Sequence, residues 1–362
     1  MKVLIVSAVS RNEHSAYNQR LLNLKEGLKQ NGITAEMLFL GDYFFKSPFL
    51  IEALDIPMIR KRIDGYDAIH GGAFAACYVL GLMKNLQRFP LILDVHGCIE
   101  EIRLKMRNFF DLTGYLTYFE TFILQEVSVR SSDLFITCSE PLRDRLLHRG
   151  ICKSAVEVIR NGVNTELFKP KSIASDDNSF VVTYAGAFQK WQGIWNLVAA
   201  ATLIKEPQVK FKIIGFKETD QALKEKMRRL LGARVELIDS LGQSELVDQL
   251  CSSDVLIIPR SRNCVTQMAF PTKFAEYVAT GKPVIVTKVN ETATFVEKSK
   301  CGLVCEPSAE SIARTIISAK KLPSSSLLDM GRNARNLAES QFDLRVIGKQ
   351  YSGFLHKVLP NS

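Results

Sequence analysis

The sequence predicts two successive α/β domains, each a doubly wound parallel sheet. Three observations carry this expectation. The chain has 362 residues, too many for one ordinary core. Short β-rich apolar runs alternate with longer helix-like segments through both halves. A polar stretch carrying a proline, residues 169–179, interrupts that rhythm midway. At 46% hydrophobic and 23% charged residues, the composition excludes a disordered or fibrous chain.

The elements follow in order. Residues 2–9 are apolar but give way at once to Arg11, Asn12, Glu13 and His14. A buried first strand explains them better than a signal peptide, which needs a longer apolar core. Residues 18–31 read as a helix that stops before Gly32. Residues 34–40, 68–70, 91–95 and 134–138 read as further strands, and residues 150–169 as the crossing to the second domain. The second series has strands at 180–185, 210–214, 234–238, 255–258 and 283–286. The domains expected are thus 1–168 and 169–342, with a last helix near 343–362 packing back on the first.

Several function classes are excluded. Neither half opens with G-x-G-x-x-G, and the loop from Ser7 to His14 has no glycine. A dinucleotide-binding dehydrogenase needs bare backbone there to approach a pyrophosphate. The eight cysteines form no C-x-x-C pair, and Cys301 and Cys305 read as strand residues near a turn. They are expected to be free thiols in a reducing compartment. The apolar run 68–83 contains His70 and three glycines and is shorter than a membrane span. A cytoplasmic protein without a transmembrane helix is expected. The net charge of +9 favours anionic partners such as nucleotide diphosphates or anionic lipid. The basic residues are dispersed, so nucleic acid is not among the partners expected.

The most informative segment is 270–286. Phe270, Phe274, Tyr277 and Val278 recur at helical spacing. Pro271 suits a helix start, and Gly281 followed by Pro283 suits its stop. Lys273 falls in the first turn, where the helix dipole disfavours a cation. It also precedes Glu276 by three residues, the weaker order for a surface ion pair. A bound phosphate reverses the sign, because free N–H groups and the lysine then face an anion. Glu276, one turn deeper, suits a ribose diol. The alternative is a solvated polar face.

Here the sequence resembles the GT-B-fold retaining glycosyltransferases of family 4, also called group 1. The resemblance covers most of the chain. It rests on Val156 to Phe168, on Asp254 to Pro259, on Pro271 to Gly281 with Lys282, Pro283 and Val284, and more loosely on Arg130 to Ser139. It implies two Rossmann-like domains facing across a cleft. The C-terminal one would bind a nucleotide sugar, UDP- or GDP-linked, and the N-terminal one an acceptor. It further implies that Glu276 holds the ribose and that Lys273 lies where the diphosphate meets the helix start. Thr272 and Gly186 join the same donor site. Two departures stand out. Met268 occupies the place of a glutamate near the donor sugar. Ala187 and Gln192 occupy the places of an Arg and a Lys in the glycine loop. Lys190 and Lys273 are therefore the expected diphosphate cations, with Arg260 and Arg262 as further candidates.

His96 follows the strand 91–95, at a strand end where open α/β sheets bind ligands. The resemblance makes it a catalytic residue touching the donor sugar; the alternative is a histidine packed on a helix end. Of Glu100 and Glu101, at most one is expected to face an acceptor. His70, beside Gly71 and Gly72, reads as structural. Residues 103–124 begin basic and continue with Phe109, Phe110, Tyr115, Tyr118, Phe119 and Phe122. They suit an interfacial membrane helix, with Arg60, Lys61 and Arg62 adding attraction to anionic lipid. The alternative is a core-covering helix with its aromatics turned inward. The function expected is metal-independent, retaining transfer of a sugar, hexosyl in type, to a hydroxyl of a glycan or lipid-linked acceptor. It would serve glycan, polysaccharide or glycolipid synthesis, peripheral at the membrane's inner face. No cofactor is expected. The rivals are a non-catalytic partner subunit and a GT-B-fold sugar-nucleotide epimerase.

Overall fold

The computed structural model describes all residues except 12–14, 43–55, 85, 107–110, 173–178 and 360–362. The chain forms two compact units. One comprises Met1–Gly162 with Leu344–Ser362, the other Val163–Asp343.

In the first unit the elements run β1 (Lys2–Ser7), α1 (Ala16–Gln30), β2 (Thr34–Phe39), α2 (Ile56–Ile63), β3 (Ala68–Gly71), α3 (Phe74–Lys84), β4 (Leu91–Val95), α4 (Glu100–Lys105), α5 (Leu112–Ser131), β5 (Leu134–Thr137), α6 (Glu140–His148) and β6 (Val156–Val158). The second unit contains β7 (Phe180–Ala185), α7 (Ile194–Leu203), β8 (Val209–Phe216), α8 (Gln221–Leu231), β9 (Val235–Asp239), α9 (Gln243–Cys251), β10 (Val255–Ile258), α10 (Cys264–Met268), α11 (Thr272–Ala279), β11 (Val284–Thr287), α12 (Glu291–Ser299), β12 (Gly302–Cys305), α13 (Ala309–Lys320) and α14 (Ser324–Leu337). The last helix, α15 (Leu344–Val358), returns to the first unit.

Each sheet has six parallel strands. Their orders are β2-β1-β3-β4-β5-β6 and β12-β11-β10-β7-β8-β9. This is the doubly wound α/β class that the alternation predicts. Central strands are apolar on both faces because helices cover both. β4 and β10 are buried at every position. The predicted strand 2–9 ends at Ser7. β6 has only three residues and lies inside the stretch read as the crossing, too short to show a period of its own.

In the first unit, α1 and α15 share a face of the sheet with Val3, Ile5, Ile92 and Ile136. They cross through two glycines. A Cβ on Gly348 would lie 2.0 Å from the carbonyl oxygen of Gly27. Asn31 Nδ2 donates to Gly27 O and Arg345 O, tying the end of α1 to the start of α15. Gly348→Ala should therefore destabilise the chain by about 1–3 kcal/mol through overpacking. Gly353→Ala, on the same helix with nothing within 4 Å of its Cβ, should be stabilising by about 0.5–1 kcal/mol. Urea unfolding of the two variants measures the contrast; equal effects would mean that the helices do not cross at Gly348.

Candidate active site

The second sheet reverses its winding between β7 and β10. From β7 the chain winds outward through β8 to β9, then returns to β10 on the other side. The C-terminal ends of those two strands are the switch point where such sheets open a crevice. Three segments converge there: the turn from Gly186 to Gly193, the residues after β10, and the start of α11.

Glycines allow that convergence. Gly193 has φ +74°, and a Cβ on it would lie 1.8 Å from the carbonyl oxygen of Pro259. Ser261 N–H donates to Trp191 O, fastening the turn to the segment after β10. Tyr277 fastens α11 to β7. Its hydroxyl accepts from Ala185 N–H at 2.6 Å and donates to Ala185 O at 3.1 Å.

Lys273 sits in this convergence with 8% of its surface exposed. Its Nζ has no hydrogen-bond partner. The ammonium lies over the Tyr184 ring, 4.0 Å from the centroid. It also lies against Gly186, where a Cβ would come within 2.4 Å of Nζ. Lys273 and Glu276 form no ion pair, although they are one turn apart on α11. The solvated surface face is therefore not what the chain builds around Lys273. Burial lowers the lysine pKa to about 7, Arg260 adds to that shift, and Glu276 opposes it. Burial raises Glu276 above the ordinary carboxylate range, and Lys273 pulls it back.

Other expected donor-site residues fall as follows. Gly186 has φ +136°, a conformation that side chains rarely adopt. Thr272 opens α11 and is half-buried, as is Glu276. Arg260 is buried, and its Nη1 donates to Ala269 O, so part of its fork holds the segment before α11. Arg262 bridges Lys288 O and the Glu306 carboxylate at the surface. Lys190 is exposed in a single 3-10 turn. Gln192 has its Oε1 buried without a partner. Sequence reasoning missed Tyr184 and the tie made by Tyr277. Both look like core aromatics at helix or strand spacing, and no sequence signal separates them from that role.

The first unit has a polar centre of its own. Arg20 donates bidentately to Asp94 at 2.8 and 2.9 Å, and its third arm reaches Asn161. His70 Nδ1 meets the Tyr351 hydroxyl at 2.8 Å, and its Nε2 lies 3.6 Å from Asp94. His70 is thus structural, as its neighbouring glycines suggest. Burial pushes the Asp94 carboxyl up, but Arg20 and His70 hold it far below its usual range. His96 leaves the end of β4, packs at 5.1 Å on the Tyr17 ring, and has its Nδ1 unpartnered. Burial lowers its pKa against the pull of Asp94, which favours the neutral imidazole. It lines a cavity of about 220 Å³ together with Glu101, Thr121 and Phe74. Glu100 turns away to a bidentate pair with Arg145, whereas Glu101 lines the cavity together with the Arg20-paired Asp94.

Helix α5 carries Leu112, Tyr115, Leu116, Phe119, Phe122 and Ile123 as one exposed stripe. The alternative of aromatics turned inward is overturned for Tyr115, Phe119 and Phe122. Phe109 and Phe110 lie outside the described residues. Among the described residues no helix is long and apolar enough to cross a membrane, and no group of three His, Cys, Asp or Glu is placed to hold a metal ion.

Two winding orders, two parallel sheets and a cationic switch point in the second define a GT-B-type protein. Residues 19–167 match the model of Glycosyltransferase Family 4, and residues 164–337 match that of Glycosyl transferases group 1. Together the two span most of the chain, and the chain belongs to this family of glycosyltransferases. A colanic acid biosynthesis glycosyltransferase of Escherichia coli (strain K12) is 24% identical over 231 residues, 62% of this chain. The match spans only 57% of that relative's length. Sucrose-phosphate synthase from Thermosynechococcus elongatus shares the fold at a TM-score of 0.78 and 19% identity, covering 100% of both chains. Anabaena HepE in complex with UDP-glucose shares it at 0.75 and 19%, covering 98% of this chain and 99% of that one.

Gly186→Ala tests the convergence. The new Cβ meets Lys273 Nζ and forces a strained backbone, which costs about 1–3 kcal/mol. Thermal unfolding should fall accordingly, and an unchanged melting temperature would mean that Gly186 does not hold its positive-φ conformation.

Proposed function

We propose that the chain transfers a sugar from a UDP- or GDP-linked donor to a hydroxyl acceptor, with retention at the anomeric carbon. One observation carries this reading: a buried lysine whose Nζ has no hydrogen-bond partner at the switch point of the second sheet. An anion bound there restores the balance, and the diphosphate of a nucleotide sugar is such an anion. Gly186 leaves backbone open to it, and the α11 start offers N–H groups. Glu276, one turn deeper, accepts from the ribose hydroxyls. The structural neighbour with UDP-glucose supports the donor class.

Chemically, the departing diphosphate gains charge as the glycosidic bond breaks. Lys273 and the α11 start stabilise it without a metal ion. Lys190 and Arg260 are the remaining donor-site cations, with Thr272 at the entry. His96 and Glu101 serve the acceptor side, where a neutral imidazole accepts a hydroxyl proton more readily than a charged one. The acceptor is a glycan or a lipid-linked sugar. The α5 stripe and the net charge of +9 support docking on an anionic membrane.

Two outcomes follow. In thermal-shift assays UDP or GDP should raise the melting temperature by mass action. Lys273→Met should weaken that nucleotide by about 1.5–3 kcal/mol, the worth of a charged hydrogen bond. Stabilisation by no nucleoside diphosphate contradicts the reading. The Leu116→Asp/Phe119→Asp variant should lose most binding to phosphatidylglycerol vesicles in co-sedimentation while keeping nucleotide binding. Equal sedimentation of variant and wild type would remove the membrane assignment.

A further inference from the structure

The environment of Lys273 has a consequence for how the donor binds. An ammonium is stable in a protein interior when acceptors replace its lost water. Here Nζ has none. Three elements face it. β7 presents the Tyr184 ring, which satisfies one face of a cation but accepts no proper hydrogen bond. The segment after β10 presents Arg260, whose positive charge repels it. Its own helix presents Glu276, the one opposing charge, which makes no ion pair with it. The positive end of the α11 dipole adds to the repulsion. In the empty site, desolvation and two positive neighbours outweigh one carboxylate and one ring face.

We propose that at mildly alkaline pH Lys273 of the nucleotide-free protein is a neutral amine and takes a proton from solvent when a nucleoside diphosphate binds, so that donor binding and proton uptake are one event. This rests on the donor reading given above and adds a regulation to it. The anion supplies both the counter-charge and the oxygen acceptors that Nζ lacks. The proton balance is simple: one proton enters with the diphosphate and leaves when the diphosphate departs. The pKa of the empty site, about 7, sets the window. Below it the lysine is already charged, and affinity is independent of this group. Above it the free protein must gain a proton to bind, and affinity falls towards tenfold per pH unit.

Isothermal titration calorimetry of the full chain with UDP, and separately with GDP, tests the proposal. Runs at pH 8 in buffers of differing ionisation enthalpy give the protons exchanged. At this pH the terminal phosphate is already ionised, since its second pKa is about 6. Wild type should take up close to one proton. Glu276→Gln should bind more weakly yet keep the uptake, which separates the lysine from the carboxylate. Lys273→Met should bind with none. If that variant binds too weakly for calorimetry, the wild-type Kd between pH 7.5 and 9.5 reads the same quantity: a rise approaching tenfold per unit supports the proposal, and a flat profile overturns it. Binding without proton exchange, or exchange that survives in Lys273→Met, overturns it while leaving the donor reading intact. Failure of both nucleotides to bind overturns the two together.

Discussion

An amine removed from water needs acceptors in order to carry a charge, and the second unit builds a place where Lys273 Nζ has none. The surrounding fold is arranged to keep it there. Tyr277 pins α11 to the end of β7. Gly186 and Gly193 let the turn after β7 press against both the lysine and Pro259. Arg260 spends one arm on Ala269 O, holding the approach to α11. Several kcal/mol is the ordinary scale for desolvating an ion. That cost disfavours the charged amine until an anion supplies acceptors, which is the basis of the proposed donor site.

The first unit handles buried charge in the opposite way. Asp94 and Arg20 satisfy each other bidentately, Asn161 takes the third arm, and His70 with Tyr351 closes the set. That network binds α1, β3, β4 and the returning α15 into one core. The reactive potential lies one step beyond it, where His96 emerges from β4 beside Glu101 on a cavity of about 220 Å³. The proposed reading gives the two places different tasks, an acceptor hydroxyl beside His96 and a diphosphate beside Lys273.

Much of the fold was legible because central parallel strands are continuous apolar runs. β4, β7 and β10 could be read to the residue for that reason. β6 could not, since three residues carry no period. The α11 start was legible from a misplaced cation: a lysine in a first turn, ahead of its glutamate, needs an explanation that helix energetics do not supply. Tyr184 was not legible, because its role depends on which ring face lies under Nζ. The division of labour between Glu100 and Glu101 was half legible. Adjacent helical residues face different ways, but only the fold shows that Arg145 takes Glu100. For the aromatic-rich α5 the sequence offered two readings of equal chemistry. The packing of the opposite face, through Gln125, Ser128 and Val129, decides that its stripe faces out.

The most direct measurement is a crystal structure of the chain grown with UDP or GDP. The account places a diphosphate oxygen within hydrogen-bond distance of Lys273 Nζ and the ribose hydroxyls on Glu276. A nucleotide bound elsewhere, with Lys273 still lying unpartnered over Tyr184, would contradict it.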